Sequence, residues 1–343
     1  MSNNAKKVRS AVEQRNLIVP QMRDYDELGT LQQWVPYLMY FHPRNATLKS
    51  VSTDDRGLRK TSGGQGKKSS ALLIGGSTVF GIGATSDSAT ITSRLTELTE
   101  HSWLNFGGRA FNSTQEALLV HLTNLEKVDG PIIVMSGLNN LTRLLLPGNF
   151  SPMYGAFFQQ SFFEKQMSVA AIGNRELLQM LISGVFKKIG VSKKFGVGKN
   201  AESLSASKMT SEADSYSAML NVFERDCEYL QMFAKHHGTT ATFAMQPFAP
   251  WVGKLLSPQE EKLFELLDQE AESFSLILEE LSKSKEKYKT DIRTICSKVD
   301  MKFLDLNDEP ELKQSEWLFI DRIHLTDAGY DTVAKILMRD LSR

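Results

Sequence analysis

The chain has 343 residues, of which 41% are hydrophobic and 23% charged, as is ordinary for a globular protein with a sizeable core. Its 40 basic and 40 acidic residues cancel to a formal net charge of zero, which argues against a general attraction to nucleic acid or to an anionic membrane. No apolar run reaches the roughly eighteen residues of a membrane span, and the basic N-terminus lacks the apolar segment of a secretory signal. We therefore expect a soluble, cytoplasmic protein that does not bind nucleic acid.

Residues 1–70 predict an N-terminal arm that ends in a flexible loop. The arm carries an apolar patch at residues 34–39, and residues 61–70 are rich in glycine, serine and lysine, which is typical of a loop. The loop contains a Gly-Lys pair, but it precedes the first predicted strand instead of following it. It therefore does not match a phosphate-binding P-loop.

From residue 71 to residue 343, short apolar strands alternate with helical segments. Strands are predicted at residues 71–74, 103–106, 131–135, 239–245 and 301–306. Helices are predicted from about Thr90, from a capping box of Ser113 and Glu116, across residues 219–233, from Ser257-Pro258, and after a cap at Thr326. This alternation indicates an α/β domain with a mainly parallel sheet of about five strands in three α/β/α layers, flavodoxin-like in strand order.

Residues 147–215 do not follow this alternation and are predicted to form an insertion. Its first part is rich in phenylalanine, and residues 189–200 are rich in glycine and lysine. Because the insertion follows the third strand, we expect it to cover the edge of the sheet where an active site would lie and to influence substrate choice. The alternative is a packing insertion remote from the site. Its lysines favour a solvated loop over an anion-binding patch.

The two cysteines and the paired histidines do not predict a metal or disulfide site. Cys227 and Cys296 lie in segments that read as helical and match no zinc spacing, so we expect buried, unreactive thiols. His236 and His237 are adjacent and lack a matching pattern of further ligands.

Polar residues follow the predicted strands where an active site of a parallel sheet is expected, beyond the carboxyl ends. Ser77 follows the first strand, the glycine-containing segment 105–113 follows the second, and Asn139 follows the third. Asp321 and His324 precede the last helix. A hydroxyl, backbone amides, a side-chain amide and an Asp-His pair are the groups that acyl transfer requires.

The spacing of Asp321 and His324 fits a charge-relay pair. Because the two residues are three positions apart in a turn, the carboxylate of Asp321 can accept from one imidazole nitrogen of His324. The other nitrogen is then free to accept a proton from Ser77.

Four of these segments resemble, in the same order, the four sequence blocks of the SGNH (GDSL-like) hydrolase family. They are residues 75–77, 105–110, 137–140 and 321–324. Residues 54–59 and 325–330 also look like the family. The chain departs from the pattern at Gly76 and Asn140, where Asp is usual, and at Ala110, where the family has its oxyanion glycine.

The resemblance implies an esterase that forms an acyl-serine intermediate, with Ser77 as nucleophile and His324 and Asp321 as its partners. It implies an oxyanion hole from the Asn139 side chain and the N–H groups of Ser77 and Ala110, with Gly107 or Gly108 as substitutes for Ala110. No metal or organic cofactor is required.

The expected partner is a small-molecule or glycan ester, such as a short acyl group (O-acetyl) on a carbohydrate. Two alternatives stay open from the sequence. One is an acyltransferase that uses the same triad, and the other is a catalytically idle glycan-binding or scaffold relative.

Overall fold

Five short apolar strands form one parallel sheet, the centre of the computed structural model. The structure describes residues 3–67, 69–123, 125, 128–146, 150–170, 212–270 and 272–342. The strands are β1 (Ser69–Gly75), β2 (His101–Gly107), β3 (Ile132–Ser136), β4 (Ala241–Met245) and β5 (Lys302–Asp305). Their spatial order is β2-β1-β3-β4-β5, with every neighbouring pair parallel. This is the flavodoxin-like order that the sequence predicted.

Helices cover both faces of the sheet. They are α1 (Asn3–Ile18), α2 (Met22–Thr30), α3 (Ser77–Phe80), α4 (Ile91–Leu98), α5 (Ser113–Leu122), α6 (Leu138–Leu145), α7 (Gln160–Ala170), α8 (Glu212–His236), α9 (Ala249–Val252), α10 (Pro258–Glu270), α11 (Glu272–Lys283), α12 (Lys285–Lys298) and α13 (Asp327–Leu341). Within the part of the chain that the structure describes, none of them is long and apolar enough to cross a bilayer.

The sheet separates two hydrophobic cores, because successive side chains of a strand point to opposite faces. Leu73 of β1 packs with α2, α4 and α13 in one core. Leu72 and Ile74 pack with α5, α8 and α12 in the other. The predicted three-layer α/β/α architecture is therefore confirmed.

Three predicted helix starts can be compared with the structure. Thr326 caps α13 as predicted, and the helix predicted from about Thr90 is α4, which Thr90 caps. The capping box predicted for Ser113 and Glu116 is wrong by one residue, because Asn112 is the N-cap of α5 and exchanges hydrogen bonds with Gln115. The reason lies in tertiary structure, since Ser113 donates its hydroxyl to the carboxylate of Asp226 (2.7 Å) and Glu116 is buried.

Other segments can also be compared with the structure. The long helical stretch predicted from Ser257 begins at Pro258, and a turn at Ser284 separates α11 from α12. The N-terminal arm contains α1 and α2, and α1 packs against α10. Within the arm's apolar patch Leu38 is buried, while Trp34 and Tyr37 are 66% and 75% exposed. Most of the predicted insertion, from 171 to 211, lies outside the described residues, so its extent and the division at residue 70 stay predictions.

A fully buried ion pair connects the start of α10 to the loop that leads towards Asp321. The ammonium of Lys254 contacts both carboxylate oxygens of Glu260 (2.7 and 2.9 Å), and neither side chain is exposed. The same carboxylate accepts the backbone N–H groups of Leu318 and Phe319 (both 3.0 Å). Glu260 therefore holds the backbone of residues 318–319, which directly precede the segment that carries Asp321 and His324.

Glu260→Gln should destabilise the fold strongly. The substitution keeps the shape of the side chain but leaves the buried ammonium of Lys254 without its counter-charge, which costs about 3–5 kcal/mol. Urea unfolding measures this loss. The control is Glu265→Gln, which breaks the exposed pair with Lys262 and should change the unfolding free energy by no more than about 1 kcal/mol. Equal, small effects of both substitutions would contradict the structural role of Glu260.

Candidate active site

Ser77 lies on a tight turn between β1 and the short helix α3. Residue 75 must be glycine, because a Cβ there would come within 2.1 Å of the carbonyl oxygen of Met135 on the neighbouring strand. Gly81 ends α3 with φ +87°, a left-handed conformation that glycine adopts without strain. These two glycines let the chain turn sharply at the carboxyl end of β1, where Ser77 is placed.

Ser77, His324 and Asp321 form a continuous chain of hydrogen bonds. The Nε2 of His324 lies 2.8 Å from the Oγ of Ser77, and its Nδ1 lies 2.7 Å from Oδ2 of Asp321. Oδ1 of Asp321 accepts the backbone N–H groups of Ile323 and His324 (both 2.7 Å). A carboxylate accepting at Nδ1 keeps the hydrogen on that nitrogen and leaves Nε2 free to accept from the serine hydroxyl.

The carboxyl group of Asp321 is held in its charged form. Burial alone would raise its pKa, but the charge of His324 and the hydrogen bonds from its ring and from two backbone N–H groups lower the pKa below the ordinary value. An ionised Asp321 can stabilise an imidazolium at His324.

The segment around His324 is anchored to α3 and to β4. Thr78, next to the serine, donates its hydroxyl to the carbonyl of Ile323 (3.3 Å) and accepts from the amide of Gln246 (2.8 Å). The guanidinium of Arg322 pairs with both carboxylate oxygens of Asp268 (2.8 Å each). Gln246 directly follows β4, and the sequence analysis did not identify it.

Most backbone N–H groups at the end of β2 and in the loop after it already donate hydrogen bonds within the chain. The N–H of Gly107 donates to Oδ1 of Asn105 (3.0 Å), and that of Gly108 donates to the carbonyl of Gly75 (2.9 Å). The N–H of Ala110, in contrast, has no hydrogen-bond partner among the described residues. Of the three loop residues considered from the sequence, Ala110 is therefore the one with a free donor.

Ala110 is held in a strained conformation by the residues on either side. Its φ is +57°, in the left-handed region that disfavours a residue with a Cβ. Its carbonyl accepts the hydroxyl of Tyr40 (3.1 Å), and the N–H of the preceding Arg109 donates to Nε2 of His42 (3.3 Å). These contacts from the N-terminal arm fix the direction of the Ala110 N–H.

Asn139 lies in the first turn of α6, beside the serine turn. Its Nδ2 donates to the carbonyl of Phe111 (2.7 Å), and a Cβ on Gly76 would come within 2.9 Å of the same nitrogen. The next residue, Asn140, has a different role. Its side chain accepts the N–H of Ser113 (3.0 Å) and donates to its hydroxyl (2.8 Å), which an aspartate at this position would do only in part.

His42 is a positioning residue that the sequence analysis missed. Burial, together with the positive charge of Arg109, lowers the pKa of His42 to about 3, so its ring is neutral. A neutral ring can donate from Nδ1 to the carbonyl of Gly57 (3.2 Å) while Nε2 accepts the N–H of Arg109. Nothing in the local pattern of residues 40–43 marks this role.

Arg59 holds the carboxyl end of α3. It is buried, and its Nη1 contacts the carbonyls of Phe80 (3.2 Å) and Gly81 (2.9 Å) and the hydroxyl of Tyr25 (2.7 Å). A cation at this end of a helix satisfies carbonyls that have no helical partner. Arg59 belongs to residues 54–59, which resemble the family but had no function predicted from the sequence.

A second buried carboxyl group, that of Glu116, lies close to the serine turn. A Cβ on Gly76 would lie 3.9 Å from its Oε1, and its Oε2 has no hydrogen-bond partner. Burial raises the pKa of Glu116 to about 8, with a smaller lowering effect from a hydrogen bond with Ser136 and a raising effect from Asp226. Glu116 is therefore uncharged at neutral pH.

The two cysteines are buried thiols. Cys227 and Cys296 are buried and form no disulfide. Burial raises the pKa of Cys296 to about 12 and that of Cys227 as well, so both are thiols at neutral pH. Across the described ranges, no group of three or more His, Cys, Asp or Glu side chains is arranged to hold a metal ion.

Neither a family model nor a curated protein matches the sequence. Solved structures are similar at low levels. The acetyl xylan esterase AlAXEase shares 12% identity over 79% of this chain and 98% of its own, with a TM-score of 0.38. A lipase/acylhydrolase from Enterococcus faecalis shares 12% identity over 80% of this chain and 95% of its own, with a TM-score of 0.39. At 12% identity and TM-scores below 0.4, neither structure indicates what this chain cleaves.

Proposed function

We propose that this protein is a serine hydrolase that cleaves a carboxylic ester through an acyl-serine intermediate. The observation that carries the proposal is the unbroken connection from Asp321 through His324 to Ser77, with distances of 2.7 and 2.8 Å. Such a connection makes a serine hydroxyl nucleophilic at neutral pH.

In the first step, Oγ of Ser77 forms a bond to the ester carbonyl carbon while its proton moves to Nε2 of His324. The π electrons of the carbonyl move to its oxygen, which becomes an oxyanion. The ionised Asp321 stabilises the imidazolium. Collapse of the intermediate breaks the bond to the alcohol, which leaves with the proton from His324, and water repeats the sequence on the acyl-serine.

We assign the oxyanion hole to the N–H groups of Ser77 and Ala110 and the amide of Asn139. The free N–H of Ala110 supports this choice over Gly107 and Gly108, whose N–H groups are already bonded within the chain. The strain at Ala110 fits the same role, since backbone strain is often concentrated where a functional group has to be aimed.

For the substrate, we retain the prediction of a short acyl group on a carbohydrate. Measuring free acetate released from acetylated sugars, together with any acetylated acceptor formed, separates hydrolysis from acyl transfer. A protein that yields neither product and does not react with a fluorophosphonate probe would be an idle relative.

Ser77→Ala should abolish cleavage of short-chain nitrophenyl esters without loss of stability. Removing the nucleophile of such a triad costs on the order of a millionfold in kcat. The control is Ser86→Ala, since the hydroxyl of Ser86 is exposed and hydrogen-bonds with that of Ser88 (2.8 Å). A Ser77→Ala protein that is still labelled by a fluorophosphonate and still turns over would show that another residue is the nucleophile.

Asn139→Ala should lower kcat by about a hundred- to a thousandfold and leave KM nearly unchanged. Loss of one oxyanion donor removes about 3–4 kcal/mol of transition-state stabilisation and little ground-state binding. The neighbouring Asn140→Ala is the matched control. It leaves the N–H of Ser113 unpaired, so it should lower the melting temperature and preserve kcat. An effect of Asn139→Ala confined to KM would place this residue in substrate binding instead.

The pH profile of kcat should fall as the pH rises through about 8, because Glu116 then ionises beside Asn139 and opposes the oxyanion. The same ionisation should weaken the fold. Because the pKa of Glu116 is higher in the folded protein than its ordinary value of 4.5, protonation of Glu116 stabilises the folded state. This contribution is complete below pH 4.5 and is lost as the pH rises from 4.5 to about 8, at up to roughly 1.4 kcal/mol per pH unit.

Glu116→Gln tests both effects, because it retains the shape of the side chain without a proton to lose. The alkaline fall in kcat should disappear, and the unfolding free energy should vary less between pH 5 and 8. Identical alkaline limbs in the two proteins would show that a different group titrates.

A further inference from the structure

Arg143 is a buried cation that lies one helical turn after Asn139. Both residues belong to α6, and a separation of four positions places them on the same face of the helix. Arg143 is 8% exposed, and its Nε is fully buried without a hydrogen-bond partner. Arginine is almost never buried to this degree unless it is paired, because removing its charge from water is costly.

Two other buried cations among the described residues have charged partners. Arg59 contacts the carboxylate of Asp87 (3.0 Å) in addition to its carbonyl and hydroxyl partners. Lys254 contacts both oxygens of Glu260. For Arg143, in contrast, the described residues provide neither an ion pair nor a hydrogen-bond acceptor. The contrast with Arg59 and Lys254 indicates that the partner of the Arg143 guanidinium is not among the described residues.

The surroundings of Arg143 place that partner beside the candidate active site. The guanidinium lies 5.7 Å from the ring centre of Phe158. Burial lowers the pKa of Arg143, and interactions with Tyr40 and Glu164 oppose that effect. Tyr40 is the residue whose hydroxyl holds the carbonyl of Ala110. A group bound to Arg143 would thus lie on the side of Ser77 where the oxyanion forms.

We propose that Arg143 binds a negatively charged oxygen group, a carboxylate or a phosphate, that the ester substrate carries near its reacting bond. A guanidinium presents paired N–H groups that match two oxygens of such a group, and binding in a buried site strengthens the interaction. This inference depends on the proposed ester hydrolysis and adds to it the class of substrate.

The charge of Glu164 competes with such a ligand. Its Oε1 accepts the amide of Gln160 (2.9 Å), and its negative charge raises the pKa of Arg143. Substrate binding should therefore become stronger when this charge is removed.

The test compares three acetyl esters: phenyl acetate, which is neutral, 3-acetoxybenzoate, which carries a carboxylate, and acetylated glycerol phosphate. The wild-type protein should favour one of the two anionic esters, and the preferred one identifies the ligand as carboxylate or phosphate. Arg143→Met should lower kcat/KM for that ester by about ten- to a hundredfold, mainly through KM, and leave phenyl acetate unchanged. Arg143→Lys should restore part of the loss, and Glu164→Gln should lower KM for the anionic ester.

Binding measured without turnover separates this proposal from the proposed function. In the Ser77→Ala background, calorimetry should detect the preferred anionic ester, and adding Arg143→Met should weaken its binding by about ten- to a hundredfold. The control is Arg9→Met, on the exposed surface of α1. Equal kcat/KM for all three esters, or equal losses for neutral and anionic esters in Arg143→Met, would overturn the proposal. So would binding in the Ser77→Ala background that does not depend on Arg143. If Arg143→Met unfolds, an Arg143→Lys protein with unchanged selectivity overturns it as well.

Discussion

The hydrogen bond between Ser77 and His324 is the contact around which the rest of this structure is organised. It joins residues that are 247 positions apart, so it depends on a sheet that brings distant segments to one edge. β1 lies between β2 and β3, at the point where the strand order reverses, and ligands of such sheets bind at this point. Small shifts of either partner would break a bond of 2.8 Å, and this explains why so many buried polar contacts converge on the two segments that carry them.

Much of that support comes from the N-terminal arm, which the sequence did not connect with the site. Arg59 fixes the end of α3, and the neutral ring of His42 fixes the loop before Ala110. Both side chains are buried and hydrogen-bonded, so each contributes stability only while the arm is in place. The arm therefore helps to hold α3, which begins at Ser77, and the loop around Ala110 in position.

The sheet could be predicted from the sequence because strands buried on both faces are continuous apolar runs, and the residues after those runs fall at one edge. Ser77 and Asn139 were singled out in this way, whereas Asp321 and His324 were singled out by their spacing ahead of the last helix. Two kinds of feature could not be found. Asn112-Gln115 and Ser113-Glu116 both have capping-box spacing, and the distant Asp226 and Asn140 decide between them by engaging Ser113. His42, Arg59 and Gln246 act through partners far away in sequence, which no local pattern records.

The two buried carboxyl groups near Ser77 show how the surroundings decide their charge. Asp321 accepts from the ring of His324 and from two backbone N–H groups, so its pKa is lowered and it is ionised. Glu116 has an oxygen without any partner, and burial raises its pKa to about 8. Asp321 thus places a negative charge beside the imidazole of His324, whereas Glu116 places none beside Asn139 at neutral pH. Different states for two neighbouring carboxyl groups are what acid–base catalysis at a single pH requires, and here they follow from the number of hydrogen bonds that each group receives.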